Sequence, residues 1–149
     1  MQTELQTLLR RYMEPGQTLA LVGVGAFGRI VRDAAVSLEI RVLLCDPPRM
    51  LEDSEELGEA IRIQWGNGMG GCDFSTIQTE TFLPLESVLK SADAIAVQVP
   101  LSAEPPFATE ALFTAERMAL CKSSIRLLNF SDPAVIAPEL RCDPRIIQF

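Results

Sequence analysis

Leu19-Ala20-Leu21-Val22-Gly23-Val24-Gly25-Ala26-Phe27-Gly28-Arg29 passes from an unbroken apolar run into three glycines spaced as GxGxxG. The run ending at Gly23 has the character of a strand buried on both faces, which a parallel sheet covered by helices provides. From Phe27 to Leu38, Ala, Val and Ile alternate with Arg29, Arg32 and Asp33 so as to leave one apolar helical stripe. Ile40 to Cys45 is a second apolar strand, closing a strand-helix-strand unit of about 30 residues.

Each glycine of the turn meets a separate demand. Gly23 permits the tight turn, Gly25 leaves room for a pyrophosphate to approach the backbone, and Gly28 lets the helix lie close to the strand. The helix N-terminus then offers free N–H groups and the positive end of its dipole to an anion. Asp46 closes the second strand 18 positions beyond Gly28, where a carboxylate can accept from the ribose hydroxyls of an adenosine and would repel a 2′-phosphate. NAD is favoured over NADP, with Arg49 nearby working against that discrimination. The glycines alone would equally suit a strand-to-helix turn that binds nothing. The placement of Asp46 favours a dinucleotide site.

Outward from this unit, Leu5, Leu8, Leu9 and Tyr12 recur at helical spacing before the stop at Pro15-Gly16. A leading amphipathic helix is therefore expected over 1–17, with the dinucleotide-binding domain over 18–149. Toward the C-terminus the pattern predicts an acidic helix from Ser54 to Ile61, a glycine loop from Trp65 to Gly71 and a short strand from Thr79 to Leu83. It continues with a helix from Leu85 to Lys90, a strand from Ala94 to Val99 and a helix from Thr109 to Leu120. A strand from Ile125 to Asn129, a helical turn from Pro133 to Leu140 and a final strand from Arg145 to Phe149 complete it. Strands alternating with helices predict an α/β fold, a doubly wound parallel sheet of Rossmann type in one three-layer domain.

Composition narrows the partners. The formal charge is −7 and the only lysines are Lys90 and Lys122, so electrostatic capture of nucleic acid or anionic lipid is not expected except at a local basic site. No apolar stretch approaches the ~20 residues of a membrane-spanning helix, and the N-terminus carries no secretory pattern, so a cytoplasmic location is expected. Histidine is absent, and Cys45, Cys72, Cys121 and Cys142 form no CxxC pair, which argues against a metal site. The cysteines are expected to be reduced and mostly buried; a redox role for Cys72, in its glycine-rich loop, is the alternative. The acidic cluster Glu52, Asp53, Glu55, Glu56 and Glu59 suits a solvated helix face better than a cation site, and Pro105-Pro106 suits a rigid turn. No nucleophile paired with histidine is possible, and the pattern places both lysines near helix ends. No catalytic residue is assigned.

With these residues in view, the chain resembles the cofactor domain of the NAD-dependent D-isomer 2-hydroxyacid dehydrogenase family, most of all its erythronate-4-phosphate dehydrogenase branch. The likeness rests on Gly23-Val-Gly-Ala-Phe-Gly-Arg29, Leu44-Cys-Asp-Pro-Pro-Arg49, Leu85-Glu-Ser-Val-Leu89 with Ala92-Asp93, and Val99-Pro-Leu-Ser102 with Thr109. It covers Thr18 to about Val135. The resemblance implies a cofactor set of Gly23, Gly25, Ala26, Phe27, Gly28, Asp46, Pro47, Val99, Pro100 and Thr109, NAD as the ligand, and homodimers formed through this domain.

The departures bear on activity. The family follows its fifth strand with Asn-x-x-Arg-Gly, whose arginine binds the substrate carboxylate; here Leu128-Asn-Phe-Ser-Asp132-Pro133 puts a carboxylate in its place. The family's acid/base glutamate and histidine would fall beyond Phe149, and its substrate domain is not represented. The segment from Met50 to Phe82 is longer than the family leads one to expect and carries no assigned function. Three functions follow in order of expectation. The first is a non-catalytic NAD(H)-binding or sensing module. The second is an oxidoreductase fragment or subunit completed by another chain, and the third a vestigial scaffold in which the leading helix packs on a second copy.

Overall fold

The computed structural model describes residues 1–49 and 81–149. Five parallel strands stand in the order β2-β1-β3-β4-β5: β1 is Thr18–Val22, β2 Arg41–Cys45, β3 Ala94–Val97, β4 Arg126–Asn129 and β5 Ile146–Gln148. Beyond β2, Phe82 makes a single parallel bridge to Leu44, all that is described of the strand expected from Thr79 to Leu83. The order reverses between β1 and β3. At such a switch point the connections leave in opposite directions and open a crevice at the carboxyl ends of the strands.

Alternation along the central strands makes three layers. Leu19 and Leu21 of β1 with Ala94 and Ala96 of β3 meet one apolar cluster, and Ala20, Val22, Ile95 and Val97 the other. The first cluster is covered by α1 (Gln2–Tyr12) and α2 (Ala26–Ser37), through Leu5, Leu9, Val31, Ala34 and Ala35. The second is covered by α3 (Leu85–Ser91) and α4 (Ala115–Ala119), through Val88, Leu89 and Met118. The expected doubly wound, three-layer architecture is the observed one.

Several boundaries differ from expectation. The helix expected over Thr109 to Leu120 is confined to Ala115–Ala119, because Thr114 caps it by accepting from the Arg117 N–H. Ala111 sits in the left-handed region (φ 50°), and Phe113 pairs with Ile136 in an isolated parallel bridge. That same bridge divides the expected helical turn from Pro133 to Leu140 into two short 3-10 turns, Pro133–Val135 and Pro138–Leu140. β3 stops at Val97, two residues early, because the Val99 N–H turns to the Ser131 hydroxyl. Leu5 and Leu9 of the leading helix are buried inside the chain, so they are not surfaces for a second copy. Of the cysteines, Cys45 is buried, Cys121 half-buried and Cys142 exposed, so burial is less general than expected. The helix expected over Ser54 to Ile61, the glycine loop, the acidic cluster and Cys72 lie outside the described residues.

Asp93 ties the amino ends of the central strands together. Its Oδ2 accepts from the Thr18 N–H at 2.8 Å, and its Oδ1 from Lys122 Nζ at 2.9 Å. The Lys122 hydrogen bond, then the Thr18 N–H, hold the Asp93 carboxyl below its ordinary 3.8. A depressed carboxyl contributes stability above its unfolded value and loses it as pH falls through the folded one. Asp93→Asn is therefore expected to unfold at lower temperature than the parent at neutral pH, with the difference closing below pH 3.8; thermal unfolding of both across acid pH checks this.

Candidate functional site

The glycine turn begins where β1 ends. Gly23 takes φ +94°, and its N–H donates to the Cys45 carbonyl at 2.9 Å, locking the turn to the end of β2. A Cβ on Gly23 would collide with the Gln98 carbonyl oxygen and stand 2.7 Å from Val99 Cγ1. A Cβ on Gly28 would collide with the Gly23 carbonyl oxygen. Gly28 is thus the residue that lets α2 lie against the turn. Gly25 differs: a Cβ there would meet no described atom within 4 Å. Gly25 is also the N-cap of α2, and no described side chain caps that first turn. The arrangement is an open helix N-terminus above a crowded floor, which is what an anion needs in order to reach backbone N–H groups.

A cavity of about 620 Å³ opens beside the turn, at the switch point. Its walls are the carboxyl ends of β1, β2 and β3 with the segment that follows β3. Of the expected cofactor residues, Gly23, Gly25, Asp46, Pro47, Val99, Pro100 and Thr109 line it. Ala26, Phe27 and Gly28 are not among its lining. Gly28 is buried under the turn, and the Phe27 ring packs edge-on against Phe130, centroids 5.4 Å apart.

Asp46 is held in place before any ligand arrives. Its Oδ2 accepts from the Val24 N–H at 2.8 Å and its Oδ1 from the Arg49 N–H at 3.2 Å, with Arg49 Nε 3.6 Å from Oδ2. The carboxylate therefore links β2 to the glycine turn. With about four acceptor positions it retains capacity for further donors. The Thr109 hydroxyl donates to the Pro100 carbonyl at 2.5 Å and accepts from the Ser102 N–H at 2.8 Å, closing the loop between them, which contains the cis Pro105-Pro106 bond. Cys45, on the cavity floor, has its thiol pushed up to about 11 by burial and then by the Asp46 charge, so it stays protonated at neutral pH.

Among the lining residues that sequence reasoning missed are the polar Gln98 and Arg117. Gln98 Nε2 donates to the carbonyls of Gly23 at 2.7 Å, Val22 at 3.2 Å and Ala96 at 3.3 Å, tying β1 to β3 beneath the turn. Its Oε1 is buried with no partner among the described residues. A polar residue at the carboxyl end of an otherwise apolar strand was the available signal. Arg117 projects to the cavity from α4, with Nη1 donating to the Leu112 carbonyl at 2.6 Å. Nothing local marked it. Asp132, expected where the family has its substrate-binding arginine, accepts from the Ala134 N–H at 2.8 Å and caps a 3-10 turn.

With this geometry in place, the relatives can be compared. The resemblance is to the D-2-hydroxyacid dehydrogenases. No family profile matches the chain. The erythronate-4-phosphate dehydrogenase of Photorhabdus laumondii is 29% identical over 120 residues, 80% of this chain and 26% of that protein. The glyoxylate reductase of Pyrococcus furiosus is 27% identical over 121 residues, 81% of this chain and 29% of that protein. Among solved structures, the TT0316 protein of Thermus thermophilus superimposes with a TM-score of 0.57 at 26% identity, covering 84% of this chain and 30% of that one. The NAD-dependent formate dehydrogenase of Staphylococcus aureus, solved with NAD, gives 0.59 at 16% identity and covers 89% of this chain and 33% of that one, a likeness of fold. The chain spans about a quarter of the length of the first curated relatives it matches.

Gly23→Ala and Gly28→Ala are each expected to lose at least ~1–3 kcal/mol, because the new methyl meets backbone and, at Gly23, a positive φ. Gly25→Ala, which meets no described atom, should cost less, about 0.5–1 kcal/mol as a change of N-cap residue. Chemical denaturation of the three variants distinguishes the crowded glycines from the open one.

Proposed function

We propose that this chain is an NAD(H)-binding Rossmann module, related to the dehydrogenases but without hydride-transfer chemistry of its own. The observation that carries this is the pairing of an open glycine turn with a carboxylate fixed at the end of β2, both on one cavity. The pyrophosphate would rest on the N-terminus of α2 at Gly25, with Ala26 and Phe27 supplying the next amides. Asp46 would accept from the adenosine ribose hydroxyls, and Pro47, Val99, Pro100 and Thr109 would form the walls around the nucleoside. Bound NAD supplies a hydride acceptor at its nicotinamide. This chain has no imidazole with which to move the accompanying proton, since it contains no histidine.

Charge supports the binding role. In a chain of net charge −7, the ionisable side chains lining the cavity among the described residues are one carboxylate, Asp46, and two guanidiniums, Arg49 and Arg117, beside the protonated Cys45 thiol. Asp132 weighs against substrate binding, because an exposed carboxylate at the end of β4 repels a 2-hydroxy acid. A subunit completed by another chain is the second reading, motivated by the relatives' greater length. Self-association and a cytoplasmic location remain parts of the proposal, with the homodimer testable by light scattering. No helix of the described residues is long and apolar enough to cross a membrane.

Thermal unfolding with added NAD, NADH and NADP tests the reading. Ligand at 100 times its dissociation constant should stabilise the fold by ~2.7 kcal/mol. NAD and NADH should raise the midpoint, NADP should do so less, and Gly25→Val should abolish the shift while leaving the ligand-free midpoint near that of the parent. No shift with any nucleotide would overturn the proposal. Turnover of 2-hydroxy or 2-oxo acids by the isolated chain would overturn its non-catalytic part.

A further inference from the structure

A Rossmann sheet has two mononucleotide halves, and a dinucleotide spans the crevice between them. The cavity here occupies one half. Its lining runs from the ends of β1 and β2 across to the loop after β3, and no described lining residue lies beyond Arg117. The ends of β4 and β5, which would carry the second half, contribute nothing to it.

At the ends of β4 and β5 the described residues show aromatic contacts in place of polar lining. The Phe130 ring, just past β4, stacks on Phe149, just past β5, with centroids 4.8 Å apart and planes within 12°. Phe27 from the first turn of α2 closes on the same Phe130 ring edge-on. Hydrogen bonds join the same strand ends. The Val99 N–H donates to Ser131 Oγ at 2.8 Å, Gln148 Nε2 to the Ser131 carbonyl at 2.8 Å, and Asn129 Nδ2 to Gln148 Oε1 at 2.7 Å. A nicotinamide riboside over β3, β4 and β5 would meet these aromatic contacts and the Val99 to Ser131 bond, with no lining residue of the cavity to receive it. The adenosine side needs no such rearrangement. There the cavity is formed, Asp46 is fixed, and the guanidiniums of Arg49 and Arg117 are among the lining residues.

We propose that the site is an ADP site: it holds the adenosine diphosphate moiety of a nucleotide, makes no contact of its own with the nicotinamide end, and so does not distinguish NAD from NADH. This rests on the nucleotide-binding reading above and narrows it. A module of this kind reports the presence of an ADP-bearing ligand and is blind to its redox state.

The test is calorimetric titration of the whole chain with NAD, NADH and ADP-ribose, which share the ADP moiety and differ at the nicotinamide. The three dissociation constants are expected to agree within about threefold, a difference of well under 1.4 kcal/mol. The emission of NADH should keep the position and intensity it has in free solution, and Gly25→Val should remove binding of all three. NAD or NADH binding about tenfold or more tightly than ADP-ribose, or a blue-shifted NADH emission, would overturn the inference and leave the NAD-binding proposal standing. Absence of binding by every nucleotide would overturn both.

Discussion

The close approach of α2 to the end of β1, with no side chain between Gly28 and the Gly23 carbonyl, is the constraint on which the site depends. A methyl group at either position meets backbone, which cannot move aside as a flexible side chain can. Because the helix lies so near, its first turn opens directly over the switch point, and the positive φ of Gly23 turns the chain upward to reach it. Gln98 secures the arrangement from below by gathering the carbonyls of β1 and β3, and Asp46 secures it from the side through the Val24 N–H. Each tie uses a group at the carboxyl end of a different strand, so the site is a property of the sheet edge as a whole.

The sequence made the helices and strands around the glycine turn legible because their apolar patterns are unbroken. Leu19 to Val22 has a single reading, and Ala26–Ser37 keeps its stripe throughout. It was a poorer guide past Val97, where the chain obeys individual polar groups rather than a period. Thr109, Thr114 and Asp132 each cap or close a turn with side-chain hydrogen bonds, and such bonds override the helical spacing that Thr109 to Leu120 displays. The site was legible in the same proportion. Gly23, Gly28 and Asp46 announced themselves by spacing, whereas Arg117, which lines the cavity and donates to the Leu112 carbonyl, carries no local signal in the sequence.

The two ends of the sheet differ in what they present at the carboxyl ends of their strands. On the β1 and β2 side the polar groups are fixed and face a cavity. On the β4 and β5 side Asn129, Ser131 and Gln148 are hydrogen-bonded within the chain, and Phe130 stacks on Phe149.

The Asp93 contact to Thr18 and the Gln98 contact to Gly23 both join residues 75 positions apart. By contrast, β1, α2 and β2 follow one another within a short stretch of chain and pair without a long loop to close. The order of assembly follows from loop entropy. The local unit docks early, and β3 can enter beside β1 only after the intervening chain has been drawn in. Since the cavity takes walls from both sides of that junction, it exists only once β3 has docked beside β1, and forms in which it has not have the glycine turn without a pocket to go with it.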